Sequence, residues 1–102
     1  MSQQESELVR VRHRIGIAIC DALATRLALH RPEFFAEELR REVAARIAQK
    51  AAPGSADRIL RDLRQRGVLD YVVLSRRRSH YRVVRVGPPP PAPPRQLELY
   101  PT

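Results

Sequence analysis

The residues of this sequence with the clearest chemical meaning are arginines, and they are concentrated in one third of the chain. Of the 19 basic residues among 102, all but Lys50 are arginine. Between Pro53 and Val86 nine arginines stand against Asp57, Asp62 and Asp70, which gives this segment a net charge of +6 out of +8. A guanidinium group makes forked hydrogen bonds to phosphate and to guanine edges. This concentration therefore indicates a polyanionic partner.

The other reactive residue types do not form a catalytic or metal-binding set. His13, His30 and His80 lie far apart without a cysteine pair or a His-x-x-x-His spacing, which argues against a zinc site. The sequence has no Ser-His-Asp or Cys-His combination, no glycine-rich phosphate loop and no acid cluster suited to a nuclease metal. Cys20 cannot form an internal disulfide, and its apolar neighbours predict a small buried hydrophobe. We therefore expect no enzyme, no metal and no cofactor.

Length and hydropathy indicate one domain without a membrane span. A chain of 102 residues has room for one hydrophobic core, and a hydrophobic share of 43% argues against wholesale disorder. No apolar run approaches the roughly 18 residues that a spanning helix needs. The polar and acidic segment Met1–Glu7 does not resemble a secretory signal. We expect a cytoplasmic, nucleoid-associated protein that acts without a membrane.

Two helices with apolar stripes are predicted before the basic segment. Residues 6–30 carry apolar side chains every four residues, and Pro32 ends this first helix. Residues 35–49 form the second predicted helix, with Phe34 and Phe35 interpreted as core anchors at its start. The stripe of the first helix is compatible with either a monomer or a homodimer.

A third helix lies inside the basic segment and has the clearest boundaries. Ser55 is suited to its N-cap, and Gly67 to the left-handed residue that closes a helix. The residues spaced to share one apolar face are Ala56, Ile59, Leu60 and Leu63. The opposite face carries Asp57, Arg58, Arg61, Arg64 and Gln65.

A β-hairpin is predicted after the third helix. Residues 68–74 and 81–86 are rich in β-branched and aromatic side chains, and Ser75-Arg76-Arg77-Arg78-Ser79 separates them. We expect Tyr71 and Tyr81, on adjacent strands, to pack as a cross-strand pair. The three arginines then lie at the tip of the hairpin.

This order of elements resembles bacterial and phage winged helix-turn-helix DNA-binding domains. The stretch Ser55–Gly67, followed by Val68–Tyr71, is similar to their recognition helix and first wing strand. The resemblance covers roughly residues 12–86. It implies an α+β fold over residues 11–86, a three-helix winged helix-turn-helix with a C-terminal β-hairpin wing, preceded by a flexible arm at residues 1–10.

The resemblance implies that the chain binds double-stranded DNA through a recognition helix in the major groove. Residues near the helix start are best placed to reach base edges: Ser55, Asp57, Arg58, Arg61 and Gln65. Arg64 and Arg66 are better placed near the backbone phosphates. The wing residues expected on the backbone or in the minor groove are Arg76, Arg77 and Arg78. The competing interpretation is a solvated helix face and an exposed turn that charge keeps soluble.

The implied role is that of a transcriptional regulator or of a phage or mobile-element accessory factor. A narrower variant is a reader of methyl-adenine, because similar winged helices accompany nucleases directed to that base. The sequence shows no methyl pocket.

Residues 87–102 form a proline-rich linker and a tail with a motif of its own. The peptide Gln96-Leu97-Glu98-Leu99-Tyr100 resembles the one by which many bacterial proteins dock on the replication sliding clamp, with Tyr100 where Phe is usual. The resemblance implies that Gln96, Leu97, Leu99 and Tyr100 bind the clamp through an apolar pocket. The alternative function is therefore a protein-interaction adaptor. A disordered end, or a strand that closes back on the domain, remains open for this peptide.

Overall fold

The computed structural model describes residues 3–47 and 55–89, with side chains from Val9 onward. In these ranges the chain forms an α+β domain of three helices and a three-stranded antiparallel sheet with strand order β1-β3-β2. The elements in chain order are α1 (Gln3–Ala28), β1 (Glu33–Phe35), α2 (Ala36–Ile47), α3 (Ser55–Gln65), β2 (Leu69–Ser75) and β3 (His80–Val86). The three helices and the hairpin match the prediction, whereas β1 was not predicted.

Helix α1 begins earlier than the sequence predicts. It runs from Gln3, so residues 3–10 belong to the first helix, whereas the resemblance implies a flexible arm at residues 1–10. His30 ends the helix with a φ of 56°. Its N–H donates to the Leu27 carbonyl at 3.1 Å, and the Arg31 N–H donates to the Arg26 carbonyl at 2.9 Å. These two bonds satisfy carbonyls that the helix would otherwise leave without a donor.

The second helix begins one residue later than predicted, because Phe35 belongs to a strand. In β1, Phe34 lies opposite Tyr81 and Phe35 lies opposite His80. Neighbouring strand residues point to opposite faces, so Phe34 is 1% exposed and Phe35 is 38% exposed. The Phe35 ring instead stacks on His80, with 4.3 Å between ring centroids. The prediction of a core anchor is therefore right for Phe34 and wrong for Phe35.

Helix α3 has the predicted position and the predicted apolar face. Gly67 closes it with a φ of 78°, and its N–H donates to the Arg64 carbonyl at 3.1 Å. The Val68 N–H donates to the Leu63 carbonyl at 3.0 Å. Three of the four predicted core residues are buried and the fourth is partly buried: Ala56, Leu60 and Leu63, with Ile59.

The hairpin of β2 and β3 has an ordered four-residue turn at residues 76–79. The Arg78 N–H donates to Ser75 Oγ at 3.3 Å, and the Ser79 N–H donates to the Arg76 carbonyl at 3.2 Å. Ser79 has a φ of 50°, and its carbonyl accepts the N–H of Ala36 at 2.9 Å. This last bond joins the tip of the hairpin to the first residue of α2.

The core lies between the helices and the inner face of the sheet. The expected pair of Tyr71 and Tyr81 is confirmed, with ring centroids 5.3 Å apart and the rings nearly edge to face. Cys20 is 2% exposed, and burial followed by the charge of Asp21 raises the pKa of its thiol. The largest fully buried side chains are Phe34, Ile15, Ile19, Leu23, Leu39, Leu69, Val43 and Val83. Among the described residues, no helix combines the length and the apolar character that crossing a membrane requires.

Candidate nucleic-acid interface

One face of α3 consists of exposed polar side chains directly opposite its buried row. At about 100° per residue, Arg58, Arg61 and Gln65 fall within an arc of about 60°. All three are exposed, and the buried row is centred on the other side of the helix. We call Arg58, Arg61 and Gln65 the outer stripe. Because the buried row holds α3 on the core, the outer stripe must face away from the domain.

Asp57, beside the outer stripe, is held by an arginine from α2. Arg40 Nε donates to Asp57 Oδ1 at 3.1 Å, and Arg40 Nη2 donates to Asp57 Oδ2 at 2.9 Å. A fork of two parallel bonds to one carboxylate fixes orientation as well as distance. The hydrogen bonding to Asp57, together with its charge, raises the pKa of Arg40. Both carboxylate oxygens of Asp57, which was predicted to contact DNA, are thus occupied within the domain.

Arg64, near the C-terminal end of α3, contacts two residues of β2. Its Nε lies 3.3 Å from Asp70 Oδ1, and its guanidinium carbon lies 4.7 Å from the centroid of the Tyr71 ring. An arginine in this position is attracted by the negative face of the aromatic ring. Arg64, predicted to lie near backbone phosphates, therefore already contacts Asp70 and Tyr71 within the domain.

These ion pairs divide the arginines of α3 into two groups. Arg64 is paired with Asp70, and Arg66 is paired with Asp62 one turn earlier, at 3.1 Å. Among the residues with described side chains, neither Arg58 nor Arg61 has a carboxylate within ion-pair distance. The two arginines of the outer stripe are therefore the ones whose guanidinium groups remain available to a ligand. Ser55 is half-buried at the start of the helix.

The hairpin tip presents three more arginines. Arg76, Arg77 and Arg78 are exposed, and within the described part of the chain none of them is paired with a carboxylate. The hydrogen bonds of the turn hold their backbone in one conformation. Because these bonds already restrain the turn, its backbone loses little conformational entropy when the tip docks on a ligand.

Two further exposed arginines, which the sequence pattern does not single out, lie on β3. Arg82 and Arg85 are both exposed, and Arg85 Nη2 donates to the Gly67 carbonyl at 2.9 Å. Both belong to the basic segment, and the strand register places Arg82 opposite Val72 and Arg85 opposite Asp70, away from the hairpin tip.

One turn of α2 links the hairpin tip to the start of α3. Ala36 binds Ser79 at the tip, and Arg40, one turn further along α2, binds Asp57 in the first turn of α3. The two basic elements are therefore attached to the same end of α2.

Comparison with protein-family models, with curated proteins and with solved structures gave no match to this chain.

Two further predictions concern metals and the tail. In the described ranges, no three His, Cys, Asp or Glu side chains come together as a metal site would require. The residues predicted to bind the sliding clamp lie outside the described residues: Gln96, Leu97, Leu99 and Tyr100. Clamp binding stays a prediction from the sequence.

Proposed function

We propose that this protein binds double-stranded DNA as a winged helix-turn-helix, with α3 as its recognition helix and the β2–β3 hairpin as its wing. The observation that carries the proposal is the outer stripe, whose Arg58 and Arg61 point away from the core without an acidic partner in the described ranges. An exposed arginine forms its strongest, forked hydrogen bonds with an anion or a guanine edge. The major groove, about 12 Å wide, admits a helix of this kind.

The outer stripe is long enough to contact about three base pairs. From Arg58 to Gln65 the helix rises about 10 Å at 1.5 Å per residue. Successive bases along one DNA strand are about 3.4 Å apart. Arg58 and Arg61 are suited to the O6 and N7 atoms of guanine, and Gln65 is suited to adenine. We therefore expect a preference for a short element that contains guanine.

The wing supplies affinity rather than sequence preference in this proposal. Arg76, Arg77 and Arg78 neutralise backbone phosphates or enter a narrow minor groove, where the negative potential is enhanced. A small DNA-binding domain of this kind suits a transcriptional regulator or a phage or mobile-element accessory factor. Reading of methyl-adenine is a narrower form of the same proposal.

Removing the three arginines of the hairpin tip is expected to flatten the salt dependence of DNA binding. Each lost phosphate contact lowers the slope of log K against log salt by about 0.9, so Arg76→Ala/Arg77→Ala/Arg78→Ala reduces its magnitude by about 2–3. Fluorescence anisotropy with a labelled duplex of random sequence, between about 50 and about 200 mM salt, measures this slope.

The matched control removes three arginines from α1. Arg10→Ala/Arg12→Ala/Arg14→Ala takes away the same charge outside α3 and the hairpin, and we expect it to leave the slope near that of the wild type. Equal slopes for the two triple variants would show that binding follows net charge alone, and would contradict the assignment of the wing.

A further inference from the structure

Within α3, Arg61 is a second possible partner for Asp57, which pairs with Arg40 of α2. Asp57 and Arg61 are four residues apart, and an acidic residue four positions before a basic one forms a favourable pair on a helix surface. In the structure, however, both oxygens of Asp57 accept hydrogen bonds from Arg40 of α2, and no pair forms with Arg61. Arg40 therefore occupies the carboxylate that Arg61 would otherwise meet.

We infer that Arg40 is a specificity-determining positioning residue, which keeps Arg61 available for a base by holding both oxygens of Asp57. The inference rests on the proposed function, because it assigns to Arg61 a base contact in the outer stripe. Arg40 itself need not touch DNA. Its effect passes through Asp57 to Arg61.

The exposure of the Arg40–Asp57 pair indicates that the role of Arg40 is not mainly to stabilise the fold. The side chains of Arg40 and Asp57 are 40% and 39% exposed. Ion pairs that are exposed to this extent contribute little to stability, so the loss of Arg40 is expected to lower Tm by less than about 6 °C. A large effect of Arg40→Ala on DNA recognition would then not come from unfolding, and the double variant with Asp57→Asn separates the released carboxylate from the lost charge of Arg40.

A mutant cycle on the full chain tests the inference. In Arg40→Ala the freed Asp57 pairs with Arg61, and one guanine contact is lost. We expect the ratio of affinities for a selected and a shuffled duplex to fall about tenfold, because one forked base contact discriminates by about this much. In Arg40→Ala/Asp57→Asn no carboxylate remains to capture Arg61, so we expect the ratio to return to within about threefold of the wild type.

The probes are a 20-base-pair duplex that the wild type selects from a random pool and the same bases in shuffled order. Arg41→Ala, an exposed neighbour on α2, is the control and is expected to leave the ratio unchanged. Recovery in the double variant is the decisive result, because that variant still lacks the bridge between α2 and α3. If the double variant stays as impaired as Arg40→Ala, the pair is merely structural and the inference is overturned.

A measurement without DNA separates this inference from the proposed function. The Nε–H signal of Arg61 in an ¹⁵N NMR spectrum is expected to shift in Arg40→Ala and to return in the double variant. If the signal follows this pattern but the wild type binds no duplex, the ion-pair exchange is real, the proposed function fails, and the assigned role in specificity fails with it. If the wild type discriminates between the duplexes and Arg61 does not respond, only the inference fails.

Discussion

Replacing Arg58 and Arg61 together by alanine is expected to weaken binding to the selected duplex by about 10²-fold to 10³-fold. Each forked contact to guanine contributes about 1–3 kcal/mol of discrimination, and the variant loses both. The fold is expected to remain intact, because both side chains are exposed and unpaired within the described ranges. Alanine is also the best helix former, so α3 itself does not weaken.

Anisotropy titrations with the selected and the shuffled duplex measure this effect. The loss is expected to be larger for the selected duplex, because base contacts carry the sequence preference and phosphate contacts do not. Arg10→Ala/Arg12→Ala on α1 removes the same charge and is the control. Should Arg58→Ala/Arg61→Ala bind the selected duplex as well as this control does, α3 is not the element that reads the DNA.

Replacing Phe34 by alanine is expected to remove about 3–5 kcal/mol from the free energy of unfolding. The side chain is 1% exposed, and its ring packs against Tyr81 with 5.5 Å between centroids. Its removal leaves a cavity where β1 joins the core, and the lost contacts are added to the lost transfer energy. The free energy of unfolding of a small domain is roughly 5–15 kcal/mol, so this single change removes a large part of the stability.

The adjacent phenylalanine provides a matched control for Phe34→Ala. Phe35 is 38% exposed and stacks on His80, so Phe35→Ala is expected to cost about 1 kcal/mol or less. Urea denaturation followed by far-UV circular dichroism measures both variants. Equal losses of stability would contradict the position of β1, because they would place both rings in the core.

The fate of the two phenylalanines shows which parts of the fold the sequence can predict. Helix α3 was predictable because its apolar spacing, an N-terminal serine and Gly67 all indicate the same boundaries. Strand β1 has three residues, which is too short to show an alternating pattern. Its position depends on pairing with β3, far along the chain, and that pairing decides which phenylalanine faces the core. Helical periodicity alone therefore placed Phe35 on the wrong face.

The candidate site was predictable in composition but not in its pattern of pairing. Residue spacing identified the polar face of α3 and the arginines of the hairpin. It did not show that Asp57 is bound by Arg40, which lies 17 residues earlier, or that Arg64 is paired with Asp70. Contacts of this kind depend on how elements pack, and periodicity within one element does not contain that information. The distinction between Arg58 and Arg61 and the paired arginines required the structure.

The most direct test of DNA binding is a salt titration of the wild type with a labelled 25-base-pair duplex of random sequence. With Arg58, Arg61 and the three tip arginines near phosphates or bases, we predict tight binding at low salt. The expected slope of log K against log salt is about −3 to −5. A wild type that leaves the duplex unbound even at about 50 mM salt would contradict the account, because the basic surface would then have no polyanionic partner in duplex DNA.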